Sequence, residues 1–183
     1  EELRKKICPN KISGARWLDL ARTAHQMGIR SNCTMLYGHV ETVEDRVDHI
    51  LRLRALQDET GGFMAFIPLQ FNKENTPYEY LPEVTGDDNL RTLAVSRLLF
   101  DNIDHIKVYW VMVGLKIAQA ALWYGADDMD GTVVEERITH VAGAQTPTGL
   151  GLDTLLHLIR RAGRTPIERD SLYNARHRYE GRD

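Results

Sequence analysis

Gly38-His39-Val40-Glu41 combines a flexible glycine, an imidazole and a carboxylate between a strand-like and a helix-like segment. Glycine lets the backbone approach a ligand closely, and amides at the start of the following helix can bind a polar group. An imidazole at this point can donate to a ligand carboxylate or carry a proton, so we predict His39 as a catalytic residue. Filling the turn is an equally good interpretation of His39. For Glu41, the better interpretation is that its carboxylate accepts hydrogen bonds from nearby backbone amides.

The strand-like segment before this turn carries polar side chains on one face. Asn32 and Thr34 share that face with Leu36. Buried parallel strands are normally continuous apolar runs, so two inward polar groups require partners. A polar barrel lumen would supply them, and we predict Asn32 and Thr34 as substrate contacts. An exposed edge strand is the alternative. Tyr109 lies in a later strand-like segment and can offer a hydroxyl, although packing is the commoner role of an aromatic there.

Carboxylates cluster in Asp127-Asp128-Met129-Asp130. Successive side chains of a strand point to opposite faces, so only Asp128 and Asp130 lie together, and we discount a metal site. The turn that follows offers backbone amides and the hydroxyl of Thr132. We therefore predict a polar-ligand role for Asp128 and Thr132.

Motifs, net charge and the lengths of apolar runs argue against several classes of function. No serine–histidine–aspartate order, phosphate-binding loop or dinucleotide fingerprint is present. A net charge of −3 argues against a nucleic-acid partner. The longest apolar run, Val108–Leu115, is far shorter than the roughly 20 residues of a membrane span. Cys8 and Cys33 lack metal-site spacing and are expected to be reduced thiols, with mutual pairing as the alternative. We expect a cytoplasmic protein with a small-molecule ligand.

The candidate residues follow strand-like segments that each run through a polar turn into an amphipathic helix. These segments are Ile29–Tyr37, Phe63–Leu69, His105–Val113 and Ala126–Met129. Alternating strands and helices predict a parallel α/β sheet whose loops carry the chemistry. Four such units are half of an eight-stranded barrel. We therefore predict the C-terminal half of a TIM-type (βα) barrel, with about four parallel strands and flanking helices.

Capping residues and apolar stripes predict the flanking helices. Their expected positions are from Ser13 to Met27, from Thr42 to Thr60, Asp88–Asn102, Leu115–Tyr124, Val133–Val141 and Asp153–Ala162. We predict that residues 12–142 form the βα units and that residues 143–183 form a C-terminal helix and tail, frayed from Arg176 onward. The connection Asn72–Gly86 is long for a compact domain and is predicted to be a lid or a partner surface.

Several longer strings resemble one enzyme family. They are TMLYGHVETVEDRVDHILRLRALQDETGGF, FIPLQF, IKVYWVMVG, GADDMDGTVVEERI and RTPIERDSLY. In this order and spacing the chain resembles the radical S-adenosylmethionine enzymes of the futalosine route to menaquinone, from about Ile7 to Tyr173. GADDMDGT is more similar to the synthase branch than to the cyclase branch. The synthase of the deazaflavin chromophore shares the LQDETGGF-type segment.

The resemblance implies a binding site for S-adenosylmethionine on the first strand. The pattern Thr34-x-Leu36-x-Gly38-x-x-Glu41 is similar to the family's GxIxGxxE-like pattern, with Thr34 in place of the first glycine. By this resemblance Leu36 touches adenine, Gly38 permits the turn and Glu41 braces it.

The resemblance also implies contacts from the other strands. Ile67 and Pro68 match the backbone that commonly pairs with the adenine edge. The implied substrate is an enolpyruvyl ether of a benzoate with two carboxylates, for which His39, Tyr109 and Thr132 are the candidate donors.

The family's CxxxCxxC motif, which holds a 4Fe–4S cluster, does not occur in this sequence. The resemblance places it in a preceding half, where the cluster generates the 5′-deoxyadenosyl radical that adds to the enolpyruvyl double bond. We therefore expect this chain to be inactive alone and its longer parent to be a transferase. The alternatives are a relative of the cyclase or of the deazaflavin synthase, or a non-catalytic ligand-binding or assembly module.

Four strands taken from a barrel leave two exposed edges, which recruit other strands. The faces beside them are expected to be apolar, through Leu36, Phe66, Val108, Trp110 and Met112. We predict a homodimer through these sheet edges. A monomer whose helices cover the open sheet is the alternative.

Overall fold

The computed structural model describes residues 2–132 and 149–181. Its main sheet has four parallel strands in the order β1-β2-β3-β4. They are Ser31–Tyr37 (β1), Phe63–Gln70 (β2), His105–Val108 (β3) and Asp128–Met129 (β4). The predicted α/β class is confirmed, and the arrangement is consistent with part of a TIM-type barrel.

Helices flank this sheet. They are Glu2–Ile7 (α1), Gly14–Gln26 (α2), Val43–Thr60 (α3), Gly86–Leu99 (α4), Trp110–Val113 (α5), Leu115–Ala121 (α6) and Leu152–Arg161 (α7). Ser13 and Thr42 cap α2 and α3 as predicted. The expected start of α4 at Asp88 is wrong, because Thr85 is the N-cap and Asp88 completes a capping box with it.

The strand register divides the sheet into two faces. Cys33, Met35 and Tyr37 of β1 are buried in a core that includes Ile50 and Leu53 of α3. The residues between them on β1 are exposed. Register partners of parallel strands share a face, which extends the division to the other strands. The face away from the helices, called the open face below, carries Asn32, Thr34, Leu36, Ala65, Ile67, Leu69, His105, Lys107 and Asp128.

The expectation of an apolar open face is wrong. Phe66 and Val108 lie on the helix-covered face and are 0% and 1% exposed. Trp110 and Met112 belong to α5. Only Leu36, 40% exposed, lies where that expectation placed it. The open face is therefore mixed, with polar and charged side chains among a few apolar ones.

The predicted strand His105–Val113 ends at Val108. The last ladder pair joins Val108 to Met129, the final residue of β4, so within residues 2–132 and 149–181 β3 has no partner beyond it. The chain then turns into α5, which buries the consecutive residues Trp110 and Val111. A strand would point these two side chains to opposite faces, whereas a helical turn buries both.

The expectation of a frayed tail from Arg176 is also wrong. Ile167–Arg169 (β5) and Ala175–Arg178 (β6) form a two-stranded antiparallel hairpin. Asp170 stabilises its turn by accepting N–H groups from Leu172 and Asn174. Local polar contacts therefore order a segment whose composition alone indicates disorder.

Some predictions fall outside the described residues. The helix Val133–Val141 lies there, as does the domain boundary at residue 142, which stays a prediction. The long connection after β2 has neither helix nor strand before Gly86, and its role as a lid stays a prediction. None of the helices in residues 2–132 and 149–181 is long and apolar enough to cross a membrane.

Candidate functional site

The turn after β1 requires glycine at position 38. Gly38 has a φ of +88°, a conformation that side chains with a Cβ rarely adopt. A Cβ at this position would also collide with Cγ2 of Val84. The geometry agrees with the predicted role of Gly38 in permitting the turn.

The side chain of Glu41 lies inside this turn and is only 2% exposed. Its Oε1 accepts the N–H of Gly38 at 2.5 Å and Nε of Arg46 at 2.8 Å. Its Oε2 accepts the N–H of His39 at 2.8 Å. Arg46 also donates to Oγ1 of Thr92 at 3.1 Å, which ties the turn to α4. Both oxygens of Glu41 are thus engaged by protein groups, as expected of a brace.

The protonation state of Glu41 follows from these contacts. Burial alone raises the pKa of its carboxyl, but the side chain of His39 and the backbone N–H groups of Gly38, Glu41 and His39 lower it to about 2. Glu41 is therefore ionised at neutral pH and has no proton to transfer.

His39 is enclosed by the same turn, with its side chain 4% exposed. Its Nδ1 lies 2.9 Å from Oε2 of Glu41. Its Nε2 lies 3.3 Å from the carbonyl oxygen of Leu36, and its ring packs edge-on against Phe71. This geometry fits the turn-filling interpretation more closely than a ligand donor. The catalytic role of His39 stays a prediction.

The predicted residues of β1 and β2 lie beside this turn. Asn32, Thr34 and Leu36 are exposed on the open face of β1, which is an edge strand of this sheet. The two alternatives for Asn32 and Thr34, a polar face of the sheet and an exposed edge strand, are therefore compatible in this structure. Ile67 is the register partner of Thr34 and is partly exposed. Pro68 is buried on the helix-covered face, so only its backbone is available to a ligand.

A second polar region lies at the carboxyl ends of β3 and β4. Nζ of Lys107 donates to Oδ1 of Asp130 at 2.9 Å, and these side chains are 13% and 21% exposed. Oδ2 of Asp130 is buried, and no group in residues 2–132 or 149–181 forms a hydrogen bond with it. Nε1 of Trp110 donates to the backbone oxygen of Asp130 at 3.2 Å and fixes the loop. Buried oxygens are almost always paired, so this one is an exception among the described residues.

The pKa of Asp130 is shifted in the direction opposite to that of Glu41. Burial raises the pKa of its carboxyl, and Asp128 nearby adds to the rise. Lys107 and Arg169 oppose the rise without cancelling it.

The C-terminal hairpin closes over Asp128. Arg169 donates Nε to Oδ1 at 2.9 Å and Nη2 to Oδ2 at 2.6 Å, and the hydroxyl of Tyr173 donates to Oδ2 at 3.0 Å. The guanidinium of Arg169 lies 3.8 Å from the centroid of the Tyr173 ring, which stacks on His105. Asp128 was predicted as a substrate contact, but both of its oxygens are engaged by the hairpin.

The predicted site residues thus divide between two regions. Tyr109 is partly exposed immediately before α5, and Thr132 is exposed two residues after Asp130. Both belong with Asp128 at the β3–β4 end, whereas His39 belongs to the β1 turn.

Sequence reasoning overlooked several residues of the β3–β4 end. Strand alternation put Lys107 on the side of Tyr109, which was a usable signal for a lumen-facing cation. Arg169 and Tyr173 gave no local signal, because they reach Asp128 across 41 and 45 residues of sequence.

The two cysteines do not form a metal site in this structure. Cys33 is buried on the helix-covered face, where burial raises the pKa of its thiol, and Cys8 is partly exposed and also free. Within residues 2–132 and 149–181, no three His, Cys, Asp or Glu side chains form a group that could hold a metal ion. The cysteines of this chain therefore do not fit an iron–sulfur cluster.

Comparison with known proteins gives consistent matches. The family model of the CofH/MqnC C-terminal region matches residues 60–181. The chain is 52% identical over 177 residues to an aminodeoxyfutalosine synthase of Thermus thermophilus, covering 94% of this chain and 48% of the relative. It is 48% identical over 193 residues to that of Streptomyces coelicolor, covering 100% and 50%.

A differently named relative is also similar. The 5-amino-6-(D-ribitylamino)uracil–L-tyrosine 4-hydroxyphenyl transferase of Methanococcoides burtonii is 42% identical over 182 residues, covering 96% of this chain and 51% of the relative. The chain therefore spans about half the length of the curated relatives that it matches.

Proposed function

The chain belongs to the CofH/MqnC family through its C-terminal region, and on that premise we propose that it is the C-terminal half of a radical S-adenosylmethionine enzyme. The proposed reaction joins the adenosyl group to an enolpyruvyl ether of a benzoate, in menaquinone biosynthesis in the cytoplasm. The observation that carries this proposal is 48% and 52% identity to two aminodeoxyfutalosine synthases over 94% or more of the chain.

The open face provides a surface for the adenosyl group. When bound, S-adenosylmethionine would supply a 5′-deoxyadenosyl radical that adds to the enolpyruvyl double bond. Leu36 on β1 and Ile67 on β2 are both partly exposed on the open face, and such apolar side chains fit a purine ring. Gly38 and Glu41 shape the turn beside it, and the backbone at Pro68 is assigned to the adenine edge. The ligands of the 4Fe–4S cluster are assigned to the preceding half.

The substrate is assigned to the polar remainder of the open face. Asn32 and Thr34 offer hydrogen bonds on β1, and Tyr109 and Thr132 offer hydroxyls at the β3–β4 end. The role assigned to Asp128 is indirect, since it orients Arg169. His39 is retained as a catalytic candidate beside the adenosyl surface.

Reconstitution of the longer protein that contains this chain tests the proposal. The protein with its upstream half is incubated anaerobically with S-adenosylmethionine, a reductant and the enolpyruvyl benzoate. We expect mass spectrometry to show an adenosyl–benzoate adduct that has lost one carboxylate, and no such product from the 183-residue chain alone. A reconstituted protein that consumes neither compound would contradict the proposal.

A second candidate function is transfer of a hydroxyphenyl group, which the name of the relative that is 42% identical describes. The same assay distinguishes it when L-tyrosine and 5-amino-6-(D-ribitylamino)uracil replace the benzoate. Turnover of that pair alone would favour the second candidate.

We retain the homodimer as a proposal. Two carbonyl oxygens on the outer edge of β1 are already occupied, that of Thr34 by Nε2 of His49 at 3.0 Å and that of Leu36 by Nε2 of His39 at 3.3 Å. Edge pairing between two copies requires both imidazoles to leave. Sedimentation equilibrium of the isolated chain tests this, and a single monomer mass at high concentration would contradict it.

A further inference from the structure

A ligand with two carboxylates requires cations that face it. The strands contribute Lys107 to the open face, and the hairpin contributes Arg169 beside it. Arg169 makes a bidentate contact with Asp128, whose oxygens it reaches at 2.9 and 2.6 Å. The ammonium of Lys107 has three N–H groups, and its contact in the described part of the chain is Oδ1 of Asp130. Lys107 is therefore the strand cation that can take a further acceptor.

Asp130 has the complementary capacity. Its Oδ1 is occupied by Lys107, whereas its buried Oδ2 has no partner among the residues that the structure describes. The charged groups that act on it are Lys107 from β3, Asp128 from β4 and Arg169 from β5. Trp110 holds the backbone of Asp130 in place through the carbonyl oxygen of that residue.

We propose that Lys107 and Asp130 together bind one carboxylate of the substrate, with the Lys107 ammonium bridging Oδ1 of Asp130 and that carboxylate while a proton on Oδ2 of Asp130 is donated to it. The inference deepens the proposed function and rests on it.

The chemistry of the pair supports this arrangement. Two ionised carboxylates in one site repel, so one of them takes up a proton, and the acid form then donates a hydrogen bond to the other. Asp130 is suited to hold that proton, because burial already raises the pKa of its carboxyl. Glu41 is not suited, since both of its oxygens are engaged and the pKa of its carboxyl is lowered to about 2.

Calorimetric titration of the holoenzyme with the enolpyruvyl benzoate, anaerobically and without reductant so that no turnover occurs, tests this subsite. Titrations in two buffers of different ionisation enthalpy give the number of protons bound with the ligand. We expect the unsubstituted protein to take up protons on binding. Lys107→Met is expected to weaken binding about 10- to 100-fold, the cost of losing one charged hydrogen bond, and Lys107→Arg to recover most of that loss.

Asp130→Asn provides the discriminating variant. Its amide keeps a donor at this position without a titrating proton, so affinity is expected to stay within about threefold while proton uptake disappears. Lys116→Met, at an exposed position on α6, is the matched control and is expected to bind as the unsubstituted protein does.

Three results would overturn the inference: unchanged affinity in folded Lys107→Met, binding without proton uptake, or an Asp130→Asn protein that binds as weakly as Lys107→Met. If the unsubstituted holoenzyme does not bind the probe, the proposed function itself is contradicted, and this inference with it.

Discussion

Glu41, which is buried, and Asp130, which is partly buried, are carboxylates at carboxyl ends of strands in two different regions of the same sheet. Glu41, 2% exposed, accepts hydrogen bonds on both oxygens from its own turn and from Arg46. Asp130, 21% exposed, shares one oxygen with Lys107, and its other oxygen has no partner in the described part of the chain. The pKa of the first carboxyl is lowered and that of the second is raised.

The difference separates a structural carboxylate from one that is open to a ligand. A carboxylate surrounded by N–H donors is stabilised in its ionised form and has no acceptor left for another molecule. A buried oxygen without a donor makes the ionised form unfavourable and leaves a position for a ligand to fill. The motif match drew attention to the β1 turn, but the β3–β4 end has the free acceptor.

The largest expected effect on the free energy of unfolding comes from a substitution that disrupts the turn after β1. Gly38→Ala adds a Cβ that collides with Val84 at a positive φ, and we expect it to lower the free energy of unfolding by about 4 kcal/mol. Gly28→Ala is the matched control, because its φ is +80° but no atom lies within 4 Å of the added Cβ. We expect it to cost about 1 kcal/mol. Equal losses in urea denaturation of the two variants would show that the collision with Val84 is unimportant.

The second-largest effect on stability is expected when the charge of Glu41 is removed. Glu41→Gln is expected to lower the free energy of unfolding by about 3 kcal/mol at pH 7, since a pKa lowered from 4.5 to about 2 measures how strongly the fold prefers the ionised form. The contribution of Glu41 is complete above pH 4.5 and is lost as the pH falls toward 2. Denaturation from pH 7 to 3 should therefore show a shallower decline for Glu41→Gln. Parallel pH profiles would refute the assignment.

The hairpin contact should have an intermediate effect. Arg169→Met leaves Asp128, 11% exposed, without its cation, and we expect a loss of about 2 kcal/mol. Arg176→Met is the control, because that arginine pairs with Asp170 while its own side chain is 65% exposed, and its loss should be much smaller. Thermal denaturation measures both. If the two variants melt at the same temperature, the hairpin does not depend on Asp128.

The smallest effect on the free energy of unfolding is expected for Asp130→Asn. This result would distinguish Asp130 from Glu41. The folded pKa of Asp130 is raised, so its stabilising contribution is present below the ordinary value of 3.8 and declines as the pH rises through the folded value. At pH 7 the amide removes this penalty, and we expect a change within about 1 kcal/mol or a small gain. A loss as large as that of Glu41→Gln, measured by urea denaturation, would show that the two carboxylates are equivalent.

Several local signals in the sequence predicted the structure correctly. Thr42 was predicted as the cap of α3, and the alternation of β1 predicted that Asn32 and Thr34 share one face. The end of β3 was not predictable, because it depends on the two-residue length of β4. The contact of Arg169 and Tyr173 with Asp128 was not predictable either, since it joins distant segments through side-chain geometry. His39 was singled out for its type and position, and only its packing shows how little of it faces a ligand.

The most direct test is a pH titration of the carboxyl ¹³C resonances of Glu41 and Asp130 in the reconstituted protein, with and without the enolpyruvyl benzoate. The account predicts a pKa of about 2 for Glu41 in both conditions. It predicts a raised pKa for Asp130 that rises further when the ligand is added. A ligand that shifts the Glu41 resonance and leaves that of Asp130 unchanged would contradict it.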